Sequence, residues 1–85
     1  MEKELIDATK SGNVIELRNI INKYVDVNTR DEEGGSLVLK AAEEGHLEVV
    51  RLLAELGANV ETQDNDGVTP LLAAAQNGHL EVVRL

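Results

Sequence analysis

The chain has 85 residues and a formal net charge of −8, which argues against nucleic-acid and anionic membrane surfaces because phosphate contacts need a basic face. It contains no cysteine, which excludes disulfides, thiolate zinc sites and cysteine nucleophiles. Its hydrophobic content is 42% with one aromatic side chain, Tyr24, so any core must be built from Leu, Ile, Val and Ala, which suits stacked helices better than a compact globule.

The N-terminal segment, residues 1–30, is charged and lacks the apolar stretch of a signal peptide. No apolar run in the chain approaches the roughly 20 residues that a membrane span needs. We therefore expect an intracellular, cytoplasmic protein with no membrane partner. A first helix is predicted to carry polar Lys3, Asp7 and Lys10 and to end near Gly12.

The middle segment, residues 31–63, predicts two helices. Ser36 is a candidate N-cap for a short helix from Leu37 to about Glu44, and Gly45 is typical of the left-handed residue that ends a helix. A second helix is predicted from about Leu47 to Leu56, because apolar residues recur there at the spacing of one buried stripe. The stripe consists of Val49, Leu52, Leu53 and Leu56.

The third segment, residues 64–85, opens with a polar turn that Gly67 closes. Thr69 is a candidate N-cap, and Pro70 suits the first helical position, where its missing N–H costs nothing. The small residues Ala73–Ala75 follow, and similar alanines recur in the middle segment. Small side chains on a short helix indicate that neighbouring helices approach closely.

The three segments are copies of one unit. Residues 31–52 and 64–85 agree at 13 of 22 positions without a gap, including the block GHLEVVRL. The same offset of 33 residues relates residues 1–30 to the middle segment through shared glycine, alanine and apolar positions. A repeat of this period indicates stacked helical units that bury their apolar faces against one another.

The repeated residues resemble the ankyrin repeat, with its Asp–Gly turn, Thr-Pro helix start, Ala-Ala pair, Gly-His turn and apolar second helix. In the third copy the matches are Asp64, Gly67, Thr69, Pro70, Leu71, Ala74, Ala75, Gly78, His79, Leu80, Val82 and Val83. The resemblance implies an all-α fold, an ankyrin repeat solenoid of antiparallel helix pairs joined by β-hairpin-like loops. It implies one domain over residues 1–85, with a capping-like repeat at 1–30, a full repeat at 31–63 and a truncated repeat at 64–85.

The chain departs from the ankyrin pattern at two places. Leu39 and Leu72 stand where the family has a histidine in its Thr-Pro-Leu-His helix start. In the family that histidine helps to tie neighbouring repeats through backbone hydrogen bonds. The departure puts those ties in doubt, although not the fold.

The third copy stops at Leu85, about four residues before the helix end expected from the middle copy. Three explanations are open: the chain is a truncated or engineered fragment, its end stacks on a second copy, or its last turn frays. Stacking would be self-association through Leu80, Val83 and Leu85.

The two histidines, His46 and His79, each precede a glutamate by two positions, Glu48 and Glu81. Residues two apart on a helix do not face one another, and a zinc site needs three or four converging ligands. The spacing therefore favours turn histidines bonded to backbone over a metal site or a general base. We predict no catalytic residue, no metal site and no cofactor.

Positions that differ between the copies are candidates for a binding surface, since packing holds the other positions constant. The ankyrin resemblance implies that they form a concave groove, made of hairpin tips and the exposed side of the first helices. The candidate partner-binding residues are Lys10, Ser11, Glu32, Glu33, Gly35, Glu43, Glu44, Asn65, Asp66, Val68, Gln76 and Asn77.

Four glutamates, Glu32, Glu33, Glu43 and Glu44, cluster in the middle of this predicted groove. They are either an ordinary acidic solvent face or the contact surface for a protein partner with a basic patch. The predicted function is a non-enzymatic protein–protein interaction scaffold. The alternative is an assembly element, or an engineered fragment, that oligomerises through the uncapped third repeat.

Overall fold

The computed structural model describes residues 2–21 and 26–84, and its helices come in three consecutive pairs. In this described part of the chain the regular structure is helical, apart from one isolated antiparallel bridge between Arg30 and Ser36. The helices are α1 Glu2–Ser11, α2 Val14–Ile20, α3 Leu37–Glu43, α4 Leu47–Glu55, α5 Pro70–Gln76 and α6 Leu80–Val83. The predicted all-α class is confirmed.

Helices α3 and α5 begin where the sequence places side-chain caps. The hydroxyl of Ser36 accepts a hydrogen bond from the Leu39 N–H at 3.1 Å, and the hydroxyl of Thr69 accepts one from the Leu72 N–H at 3.2 Å. Pro70 occupies the first turn of α5. These caps satisfy N–H groups that have no partner inside the helix, so the predicted starts of α3 and α5 are confirmed.

Each pair turns at a glycine in the left-handed region, with φ of +76° at Gly12, +75° at Gly45 and +73° at Gly78. Side chains other than glycine rarely adopt this conformation. The residue after each glycine donates its N–H to a carbonyl five positions back, as in the 2.9 Å bond from His46 N to Ala41 O. The predicted Gly-ended first helices are therefore confirmed.

The first helices α1, α3 and α5 pack side by side in one layer, and α2, α4 and α6 pack against them in a second layer. Leu17, Leu37, Val49 and Leu53 are fully buried between the layers. Alanines fill the contact between α3 and its neighbours: Ala41, Ala42, Ala73 and Ala74 are buried, as predicted, whereas Ala75 is exposed. Small side chains here let the helix backbones approach closely.

The predicted buried stripe of α4 is confirmed for Val49, Leu52 and Leu53 and wrong for Leu56, which is 44% exposed. The helix ends at Glu55, so Leu56 belongs to the turn before Gly57 and leaves the buried face. Leu85, one of the three residues predicted to mediate self-association, lies outside the described residues. None of the described helices is long and apolar enough to cross a membrane.

Candidate functional site

The segment directly before α3, residues 30–36, forms a tight hairpin tip that Asp31 organises. One carboxylate oxygen of Asp31, Oδ1, accepts hydrogen bonds from the N–H groups of Glu33 at 3.0 Å and Gly35 at 2.9 Å. The Asp31 backbone closes the turn, since its carbonyl accepts from Gly34 N at 3.0 Å. The side chains of Glu32 and Glu33 at the tip point into solvent.

The loop before α5 repeats this geometry 33 residues later. Asp64 Oδ1 accepts from the N–H groups of Asp66 and Val68, both at 2.9 Å. The two tips are joined directly, because Asn65 N donates to the carbonyl of Glu33 at 3.0 Å. The exposed tip residues Glu32, Glu33, Asn65 and Asp66 thus form one continuous row, which we call the tip row.

A lysine that sequence reasoning missed connects this row to the first helices. Lys40 Nζ lies 2.6 Å from Asp31 Oδ2 and 3.8 Å from Glu43 Oε1, with 14% of the lysine side chain exposed. Variation between the copies could have identified Lys40 as a candidate, because the equivalent position is Asp7 in the first copy and Ala73 in the third. Asp31 shows no such variation, because the third copy has the same residue, Asp64, at this position.

The ion pair changes the pKa of both partners. Burial of the Asp31 carboxyl acts to raise its pKa, but hydrogen bonds from Lys40 and the N–H groups of Gly35 and Glu33 outweigh burial, so the pKa lies below its ordinary value. Burial likewise acts to lower the pKa of Lys40, but the carboxylates of Asp31, Glu43 and Glu33 raise it above its ordinary value. Both groups therefore stay charged at neutral pH.

The remaining candidate residues lie at the ends of the first helices. Asn77 Nδ2 donates to the carbonyls of Ala73 at 3.0 Å and Glu43 at 3.4 Å, which places the ends of α3 and α5 next to each other. We call this set the helix-end row. It consists of Lys10, Ser11, Glu43, Glu44, Gln76 and Asn77.

Ten of the twelve predicted site residues fall in these two rows, and the other two do not. Gly35 is buried under Lys40, where an added Cβ would lie 3.1 Å from the lysine Cε. The prediction that Gly35 belongs to the exposed surface is therefore wrong. Val68 is half-buried at the base of its hairpin, where its N–H is held by Asp64. Gly35 and Val68 therefore shape the hairpins through their backbone N–H groups and expose little side-chain surface to a partner.

The histidines bind backbone, as predicted. His46 Nε2 lies 2.8 Å from the carbonyl of Lys10, and His79 Nε2 lies 2.9 Å from the carbonyl of Glu43. Because a carbonyl oxygen only accepts, Nε2 carries the donated proton in both rings. Each ring lies over the glycine of the preceding pair, so these contacts tie successive pairs together. Among the described residues, no three His, Asp or Glu side chains converge as a metal site would require.

Comparisons with known proteins agree with this architecture. A family model for ankyrin repeats in three copies matches residues 5–85. The acyl-CoA-binding domain-containing protein 6 of Danio rerio is 40% identical over 55 residues, which are 64% of this chain and 18% of that protein. The Bos taurus protein of the same name is 36% identical over 55 residues, covering 64% of this chain and 20% of its own length. The match therefore spans about a fifth of these curated relatives.

Among solved structures, one similar chain belongs to the complex described as the Bd0816 predatory endopeptidase from Bdellovibrio bacteriovorus with immunity protein Bd3460. It superposes with a TM-score of 0.89 at 32% identity, over 96% of this chain and 43% of that chain. The similarity covers all three helix pairs, and the family match covers nearly every described residue. The chain belongs to the ankyrin repeat family.

Proposed function

We propose that this protein is a non-enzymatic interaction module that binds a protein partner through the tip row and the helix-end row. The observation that carries the proposal is the continuity of the two rows: the Asp31–Lys40–Glu43 ion pairs connect the hairpin tip to α3. The proposed module is one domain over residues 1–85, with repeats at 1–30, 31–63 and 64–85.

The charge of the rows indicates what kind of partner fits. Glu32, Glu33 and Glu44 are exposed and Glu43 is half-buried, while Lys40 is already paired with Asp31 and Glu43. A surface with this excess of carboxylates attracts Lys and Arg side chains and speeds their encounter. The proposed partner therefore presents a basic patch.

Two further observations support a binding role over a catalytic one. Both histidine rings are engaged with backbone carbonyls, and their Nε2 protons are already donated. The structurally similar Bdellovibrio chain belongs to a complex of an endopeptidase with an immunity protein, so a chain of this fold occurs in a protein–protein complex. Concave faces of repeat solenoids are common binding surfaces.

The test compares two charge-reversed variants in affinity capture followed by binding measurements. Glu43→Lys with Glu44→Lys reverses the helix-end row, and Glu55→Lys with Glu81→Lys makes the same charge change on the second helices. Proteins captured by the wild type are purified, and each is titrated calorimetrically with the wild type and with both variants. We expect the row variant to weaken binding by about tenfold or more, as for truncated charge contacts at interfaces.

Salt dependence provides the second measurement. Affinity for the purified partner should fall as ionic strength rises, because exposed charge contacts are screened. If both variants bind equally well, or if salt has no effect on the affinity, the assignment of these rows as an acidic binding surface is refuted.

A further inference from the structure

The outer side of the second helices carries a repeated pattern of charge. Position 51 in α4 is an arginine, and the 33-residue offset places arginines at the same position of the first and third copies. One helical turn earlier, the copies hold one isoleucine and two glutamates. The six residues are exposed and form two parallel columns, which we call the outer columns: Ile15, Glu48 and Glu81, and Arg18, Arg51 and Arg84.

The outer columns point away from the first helices. In α4 the buried residues Val49, Leu52 and Leu53 face the first layer. Glu48 and Arg51 lie three positions apart on the opposite side of the helix, with 69% and 50% of their side chains exposed. The tip row and the helix-end row belong to the hairpins and the first helices, so the outer columns form a separate surface.

This surface is nearly neutral in a strongly acidic protein. Residues 14–20, 47–55 and 80–84 contain four glutamates and three arginines, which is a net charge of −1, while the whole chain carries −8. Two copies of the chain repel each other least when these surfaces approach, because most of the negative charge then lies on the far sides.

The arginines keep hydrogen-bond donors for a partner. Arg51 Nη1 lies 3.0 Å from Glu48 Oε1 in the same helix, and exposed pairs of this kind are weak. Among the described residues, no ion pair includes Arg18, Glu81 or Arg84. A guanidinium has five N–H donors, so Arg51 also has most of its donors available.

We propose that two copies of the chain pair through their outer columns about a two-fold axis that passes between Glu48 and Arg51. In this dimer α4 lies antiparallel to α4 of the second copy, and α2 faces α6 of the second copy. A two-fold axis brings the same surface of both copies together, so the surface must be its own complement. The axis exchanges the two columns, and each glutamate of one copy therefore faces an arginine of the other.

The exchange forms four ion pairs. Glu48 faces Arg51 of the second copy, and Glu81 faces Arg18 of the second copy. The axis repeats each contact once. Facing helices pack about 8–10 Å apart, a distance that a glutamate and an arginine side chain span together.

The remaining two outer-column residues also meet. Ile15, which is 76% exposed, faces Arg84 of the second copy, and the methylene stem of that arginine covers the isoleucine. A purely basic partner would instead meet the arginine column, and a purely acidic partner would meet Glu48 and Glu81. Like charges in an interface are unfavourable, so a second copy fits this surface better than either.

The size of the surface sets the strength of the dimer. Helix α4 has 9 residues, which gives a length of about 14 Å, and three helices side by side span about 28 Å. The footprint is then about 400 Å² per copy, half of the roughly 800 Å² per partner in a stable interface. We therefore expect a reversible dimer with a dissociation constant on the order of 0.1–1 mM.

Sedimentation equilibrium of the full chain, from about 20 µM to about 2 mM, tests the proposal. The weight-average mass should rise with concentration from that of the monomer toward that of the dimer. The rise should be smaller in high salt, because exposed ion pairs are screened.

Charge exchange identifies the surface. Arg18→Glu should raise the dissociation constant by about tenfold or more, because it places two carboxylates against each other at two symmetric positions. Arg18→Glu combined with Glu81→Arg reverses the ion pair and should restore the wild-type constant to within about threefold. Lys3→Glu is the matched control, since it makes the same charge change at an exposed residue of α1.

Three outcomes would overturn the proposal. The first is a monomer over the whole concentration range. The second is an equal effect of Arg18→Glu and Lys3→Glu, since net charge alone would then explain the loss. The third is a double variant that dimerises no better than Arg18→Glu, while circular dichroism at 222 nm shows that both are folded.

Discussion

Replacing Gly45 with alanine should destabilise the protein much more than the same replacement at Gly78. Both glycines have nearly the same backbone conformation, φ +75° and +73°, so a Cβ meets the same left-handed penalty of about 1–2 kcal/mol at each. They differ in what lies above them. At Gly45 the new Cβ would be 2.6 Å from His79 Nδ1, while at Gly78 the described residues leave that space open.

The difference in unfolding free energy between the two variants follows from the packing and the hydrogen bond that the His79 ring loses. The ring has to move, and crowding of this kind costs about 1–3 kcal/mol. Its 2.9 Å hydrogen bond to the Glu43 carbonyl is then lost or lengthened, which removes about 0.5–1.5 kcal/mol. We expect Gly45→Ala to exceed Gly78→Ala by about 2–4 kcal/mol, a large share of the total stability of a chain this size.

Urea unfolding monitored by circular dichroism at 222 nm measures both variants. A His79→Ala background supplies the decisive control, because without the ring the two replacements should cost the same. Equal costs in the wild-type background, to within about 0.5 kcal/mol, would refute the claim that the histidine packs against this glycine.

Three further predictions concern single contacts. The pKa of Asp31 is lowered in the folded protein, so its ionised carboxylate stabilises the fold. This contribution to the free energy of unfolding is complete above the ordinary carboxyl pKa of about 3.9 and disappears as the pH falls through the lower pKa of the folded protein. Asp31→Asn should therefore lower the free energy of unfolding by about 1–3 kcal/mol at pH 7. Urea unfolding in acid should show a smaller difference between the variant and the wild type. A difference that does not change with pH would contradict the ion pair. Ser36→Ala should cost about 1–2 kcal/mol in the same assay, while Ser36→Thr keeps the capping hydroxyl and should cost less. Leu53→Ala should cost about 2–5 kcal/mol and Leu56→Ala under about 1 kcal/mol in thermal unfolding; the reverse order would show that α4 faces the core differently.

Features that depend on a few neighbouring residues were predictable from the sequence. The caps at Ser36 and Thr69 and the turn at Gly45 each arise from contacts within five positions, so local chemistry is sufficient to identify them. The 33-residue repeat makes the remaining helices predictable, because the helix pair assigned in one copy is expected at the equivalent positions of the others.

Features that depend on geometry between elements were less predictable. A periodic pattern shows which residues are apolar but not where the helix ends. The spacing therefore includes Leu56 in the buried stripe, although the helix ends at Glu55 and Leu56 is exposed. The ion pair between Asp31 and Lys40 joins a loop to the middle of a helix, and the spacing of the two residues in the sequence does not predict it. Gly35 varies between copies, yet it lies under the Lys40 side chain rather than at the surface.

The ties between repeats also differ from the sequence expectation. Loss of the family histidine at Leu39 and Leu72 put the hydrogen bonds between repeats in doubt. The structure makes such bonds from His46 and His79 at the Gly-His turns, and from Asn65 at the hairpin tip. These donors lie on different elements, so the stack does not depend on one histidine position.

The acceptors in these ties are backbone carbonyls, so the hydrogen bonds between repeats do not depend on the side chains of the accepting residues. His46 binds the carbonyl of Lys10, and His79 binds that of Glu43, so both residues hold the stack together with atoms that every amino acid has. These hydrogen bonds place no requirement on the side chains of Lys10 and Glu43. Column 10, 43 and 76 already holds Lys, Glu and Gln in the three copies. Substitutions in this column therefore change the proposed binding surface and leave the carbonyl acceptors of the hydrogen bonds between repeats in place.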